Sequence, residues 1–139
     1  MTDSELEDLV RRFGDCTLSK PEWTHAAHLA VGLWHVSRYG RADALPRLRA
    51  GISRLNESHG TANTATGGYH ETVTRAYVEL LAAFAARHAD EPVAARVVAL
   101  LADPLSDRKA LLRFYSRGRL DSVEARLGWA EPDLAPLAL

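Results

Sequence analysis

Apolar positions recur at helical spacing along nearly the whole chain. Leu6, Leu9, Val10 and Phe13 follow a Ser4-x-x-Glu7 capping box and stop before Gly14, which predicts a first helix. Ser19-Lys20-Pro21-Glu22 is a second capping box, with proline where its missing N–H costs nothing. The stripe through Leu29, Leu33 and Val36 then predicts a second helix, closed by Gly40. A third should begin near Asp43 and keep Pro46 in its first turn. It aligns Leu45, Leu48, Ile52 and Leu55, and fades over residues 56–60.

Residues 60–68 are small, polar and glycine-rich, without an apolar period, and read as a surface connection. A long helical pattern runs from Tyr69 to His88 and stops before Asp90-Glu91-Pro92. Pro92 opens a helix over 93–101, and Ser106 is placed to cap a short one reaching Phe114. Asp121-x-x-Glu124 suggests one more turn, and residues 131–139, with Pro132 and Pro136, should lie extended against the body. No segment alternates at strand period. The expectation is an all-α chain, a compact single-domain bundle of about five to six helices over residues 1–139.

Composition narrows the function classes. The chain has 139 residues, 47% hydrophobic, with a net charge of −1. A core is affordable at this size without staples, and disorder is excluded. The neutral balance removes a bulk drive toward nucleic acid or anionic membrane. The cluster of Arg108, Lys109, Arg113, Arg117, Arg119 and Arg126 comes with no nucleic-acid motif, so no nucleic-acid partner is expected. Cys16 is the sole cysteine, and it can form neither an intrachain disulfide nor a thiolate zinc site. The acidic N-terminus is unlike a secretory leader, and no run reaches the roughly 20 apolar residues of a spanning helix. A cytoplasmic protein with no membrane partner is expected, in an oligomeric state that the pattern does not set.

Histidines carry the candidate chemistry. His25 and His28 lie three apart on a helix, so both imidazoles reach toward one point among alanines and leucines. His70 starts the stripe that continues through Thr74, Tyr77, Leu81 and Phe84. Three histidines on apolar faces of two helices are a plausible ligand set for a divalent transition metal. Zinc, iron, manganese, nickel and copper all accept these donors, so the set does not choose among them. Any one of the three taken alone reads more simply as a hydrogen-bonded core residue.

Glu71 is a fourth ligand, a general base, or a favourable anion at a helix start. Tyr69 is the second candidate catalytic group. His70-Glu71-Thr72-Val73-Thr74 has Thr74 where a zinc-protease helix needs its second histidine, which excludes that chemistry. Asn63 and Thr66 could close the glycine-rich loop over a substrate. Arg117, beside Phe114-Tyr115-Ser116, could clamp a carboxylate or phosphate, or equally cap a helix. His35 shares the face of His28 but lies roughly 10 Å along the axis, and is placed to line a cavity rather than join a common ligand set. His59 and His88 read as helix-end residues.

Trp23-Thr24-His25-Ala26-Ala27-His28-Leu29, Gly68-Tyr69-His70-Glu71-Thr72 and Tyr115-Ser116-Arg117 resemble an uncharacterised family of small all-helical bacterial proteins. The resemblance implies a stand-alone chain of this length and brings no activity, cofactor or substrate with it. The residues themselves lead to a small metal-dependent enzyme acting on a small-molecule substrate. Two alternatives stand beside it: a non-enzymatic helical protein binding a ligand or partner, and a metal-free His/Glu acid–base lyase, isomerase or cyclase.

Overall fold

Thr2, rather than Ser4, caps the first helix: its hydroxyl accepts the Glu5 N–H at 3.1 Å. Helix α1 therefore spans Asp3–Gly14, with Asp3 and Glu5 favouring its positive end and Arg11 and Arg12 its negative end. The Ser19 capping box forms as expected, yet it organises only a single 3-10 turn, Lys20–Glu22. Trp23 leaves helical geometry at ψ 62°, and Thr24 restarts the helix by accepting the Ala27 N–H. Helix α2, His25–Ser58, thus begins on the histidine pair.

Gly40 interrupts α2 with φ 78° and ψ 167°, a conformation that a β-carbon would strain. The halves, 25–39 and 41–58, are the second and third helices of the sequence pattern. They turn toward one another, so both contribute to the same cavities. Helix α3, Glu71–Arg87, packs most extensively on α2, and α4, Val93–Leu101, closes a further side. One connected apolar core runs from Leu6 and Phe13 through Leu33, Leu55, Leu81 and Phe84 to Leu100, Leu111 and Tyr115.

The final third is more broken than the sequence pattern suggests. Two 3-10 turns, Pro104–Ser106 and Ala110–Arg113, occupy this stretch, and only the second falls within the expected helix from Ser106 to Phe114. Asp103 caps the first of them, while the Ser106 hydroxyl donates back to the Asp103 carbonyl. Helices α5, Arg117–Leu120, and α6, Val123–Leu127, follow caps by Ser116 and Ser122. Residues 131–139 are non-helical, as their prolines require, and Leu137 and Leu139 pack half-buried against the core.

Buried polar groups fasten this last segment to the helices. Thr72 is fully buried. Its hydroxyl donates to the Gly128 carbonyl at 2.8 Å and accepts the Ala130 N–H at 2.9 Å. The buried Tyr115 hydroxyl donates to the Ala130 carbonyl at 2.7 Å. The computed structural model describes all 139 residues, which form an all-α bundle with six helices and no strand. No helix is long and apolar enough to cross a membrane.

Candidate functional site

A cavity of about 380 Å³ opens between the two halves of α2 and α3. Its floor is aliphatic: Leu29, Val31 and Gly32 from the first half of α2, Leu48 and Ile52 from the second, and Val73, Val78 and Leu81 from α3. Its polar lining comes from three stretches of chain. It includes His25 and His28 in the first turn of α2, Thr74 and Tyr77 on α3, and Arg108 from the stretch between the two 3-10 turns. An apolar chamber with a few convergent polar groups is the usual build of a small-molecule site.

The hydrogen bonds fix both imidazoles in orientation and in tautomer. His25 donates from Nε2 to the Ser106 carbonyl at 3.0 Å, leaving Nδ1 unprotonated. His28 donates from Nδ1 to the Thr24 carbonyl at 2.8 Å, leaving Nε2 unprotonated. The His28 ring lies flat on Trp23, with centroids 3.8 Å apart, while His25 meets Tyr77 edge-on. His28 is held below the ordinary imidazole pKa chiefly by desolvation. Its bond to Thr24 pulls the other way, and the neighbouring His25 adds to the lowering. The Tyr77 hydroxyl is pushed up, first by burial and then by Asp107. The Trp23 indole N–H is buried without an acceptor, an exception to the rule that interior donors are paired.

Arg108 brings charge to this rim. Its guanidinium pairs with no carboxylate, and the adjacent Asp107 instead accepts the Lys109 N–H. The cavity therefore combines an aliphatic interior, two imidazoles of fixed geometry and one free cation.

The histidine pair reaches a common cavity as the spacing suggests, but His70 is not part of its wall. His70 is the N-cap of α3: its Nδ1 accepts the Val73 N–H at 3.1 Å and its Nε2 donates to the Leu120 carbonyl at 2.7 Å. Both ring nitrogens are thereby occupied. No three histidine, cysteine, aspartate or glutamate side chains converge in a way that would hold a metal ion.

Tyr69 and Glu71 face a separate cleft. Glu71 is gripped by the Arg49 fork at 2.7 and 2.8 Å and accepts the Tyr69 hydroxyl at 2.7 Å. The Arg49 bonds, more than any other influence, hold its carboxyl below the usual range. Asn63 clamps the loop, donating to the Ser53 carbonyl and accepting from Asn56 and the Tyr69 N–H. Thr66 is exposed at the loop tip and borders neither cavity. Arg117 is exposed at the start of α5, also away from both.

Sequence reasoning missed Thr74, Tyr77 and Arg108 as a group. The first two carried a signal, since they share the stripe of Leu81, but a polar residue on an apolar stripe reads equally as core. Arg108 carried none, because a cation beside Lys109 resembles an ordinary solvated face. Comparison with protein-family models, with curated proteins and with solved structures gives no match to this chain.

Proposed function

We propose that the chain binds a small, largely aliphatic carboxylic acid in the cavity between α2 and α3, and that His28 exchanges a proton with it. The observation that carries this reading is the pair of imidazoles whose N–H groups are both tied to backbone carbonyls. Each leaves its basic nitrogen without a partner beside an apolar chamber. A base works best when it is neutral near the operating pH, and desolvation shifts His28 in that direction. The aliphatic interior suits the body of the ligand, and Arg108 suits its carboxylate. The reaction class that fits is a metal-free isomerisation or elimination with His28 as base and the Tyr77 hydroxyl as proton donor. Glu71, held by Arg49 and Tyr69, is outside this constellation.

The test is ligand-observed NMR with hexanoate and cyclohexanecarboxylate against the wild-type chain and Arg108→Ala. Binding to the wild type, weakened about tenfold in the variant, is the expected result for one charge-assisted contact. Absence of binding by both acids, or equal binding to Arg108→Ala, would sink the reading. A carbonyl-bearing homologue, 4-methyl-2-oxopentanoate, tests the chemistry: its C3 protons should wash out in deuterated buffer, and more slowly with His28→Gln.

A divalent metal is the second reading, favoured by the same carbonyl-anchored imidazoles, since metal-bound histidines are oriented in that way. His25 Nδ1 and His28 Nε2 would then supply two donors, with water or the substrate carboxylate completing the set. Zinc titration by calorimetry distinguishes this reading: binding should vanish in His28→Ala and persist in His70→Ala. Loss in both variants, or retention in both, would count against a metal on the histidine pair.

A further inference from the structure

A second cavity, about 480 Å³, lies where α1 meets both halves of α2 beside the Gly40 kink, and it shares no lining residue with the first. His35 borders it. That residue is only 7% exposed, its Nδ1 donates to the Val31 carbonyl at 2.8 Å, and its Nε2 makes no hydrogen bond within the protein. An acceptor nitrogen without a protein partner, open at a cavity wall, can take a donor from a ligand.

The rest of the wall is aromatic and cationic. Trp34 meets His35 and Tyr39 edge-on, at 5.0 and 5.8 Å between centroids, so no protein ring lies flat on its indole. Arg47 sits 4.0 Å over the Tyr39 ring, which holds its planar fork in place at the cavity edge. Arg54 lines the same cavity two helical turns further on, and Arg38 lies 5.6 Å from the Tyr39 centroid. None of these three arginines pairs with a carboxylate. In a chain whose net charge is −1, three unpaired guanidiniums around one aromatic cleft are a local excess of positive charge.

We infer that this cleft binds an aromatic phosphomonoester of mononucleotide size. The planar ring stacks on Trp34, the phosphate lies between Arg47 and Arg54, and a ligand N–H or O–H donates to His35 Nε2. Two guanidiniums match the double charge of a phosphate better than the single charge of a carboxylate. The volume falls within the roughly 300–1,000 Å³ of small-molecule pockets. A free nucleotide and the 5′-phosphorylated end of an oligonucleotide present the same chemistry.

Calorimetry on the full chain at low salt tests this with adenosine 5′-monophosphate, adenosine, ribose 5-phosphate and inorganic phosphate. The monophosphate should bind one to one, and each of the other three about tenfold more weakly, because stacking and phosphate contacts contribute separately. Arg47→Ala and Arg54→Ala should each weaken it by about tenfold. Both residues are exposed, so these variants carry the test even where Trp34→Ala fails to fold. Arg108→Ala, in the other cavity, should leave the affinity unchanged. A 5′-phosphorylated tetranucleotide that binds more tightly than the monophosphate would identify the oligonucleotide end as the source, and equal or weaker binding the free nucleotide. No binding of the monophosphate, equal binding of inorganic phosphate, or affinity unaffected by both arginine variants would overturn the inference.

Discussion

Replacing Thr72 by valine is expected to lower the stability of the chain by about 2–4 kcal/mol, a large effect for a change of one atom. Valine has nearly the shape of threonine, so the packing of this fully buried site is kept and the effect isolates the hydroxyl. That hydroxyl serves two backbone groups at once, the Gly128 carbonyl and the Ala130 N–H. The buried Ala130 N–H is left unsatisfied when the oxygen is removed, at a cost of roughly 1–3 kcal/mol, and the half-buried Gly128 carbonyl loses its donor as well. Urea denaturation of wild type, Thr72→Val and Thr72→Ser measures this directly. Serine keeps both hydrogen bonds and loses only a methyl group, so it should fall between the other two. A valine variant within about 1 kcal/mol of wild type would show that the C-terminal segment is held by its apolar contacts instead.

Acid is expected to destabilise the fold well before its carboxylates titrate. His28, His35 and His70 are all held below the ordinary imidazole pKa, each chiefly through desolvation. A histidine whose folded pKa is depressed stabilises the native state fully above the unfolded value, and this contribution is lost as pH falls through the folded value. For His70 the loss has a visible cause. Protonating Nδ1 removes the acceptor for the Val73 N–H, and the α3 cap with it. Glu71 and Asp133 are also held low, and Glu22 is drawn to about 2 chiefly by the hydrogen bonds from Arg12, so their contributions persist to lower pH. The denaturation midpoint should therefore fall from pH 6.5 downward, ahead of the carboxylate range. His70→Asn, which retains a cap acceptor that does not titrate, should show a shallower fall. A midpoint flat from pH 7 to pH 5 would contradict the neutral, bonded state of these rings.

The helices are legible in the sequence because their signals are local. Apolar spacing, the Gly40 break and the proline at 92 all act within a turn or two, and each of them marks a real boundary. Caps are legible only as a class. Ser4 and Ser19 have the right chemistry, but Thr2 and Thr24 lie nearby with the same chemistry, and tertiary packing decides among them. The site is half legible for a similar reason. His25 and His28 share a cavity because they lie three positions apart on a helix, whatever the rest of the chain does. The fate of His70 is set by Leu120, fifty residues away, and the rim cation Arg108 arrives from a stretch whose 3-10 turns have no period to read. A histidine immediately before a helix is the signal that was available: its Nδ1 can serve as a cap much as an asparagine oxygen does.

The flat stacking of His28 on Trp23 has an optical consequence. An imidazolium withdraws an electron from excited indole far more readily than a neutral imidazole, so the emission of Trp23 is tied to the charge on its neighbour. Trp34 meets His35 edge-on, and Trp129 lies beneath the Arg75 guanidinium rather than an imidazole. The cavity thus carries its own fluorescent indicator, built into the wall and sensitive to the protonation state of the base proposed to work there.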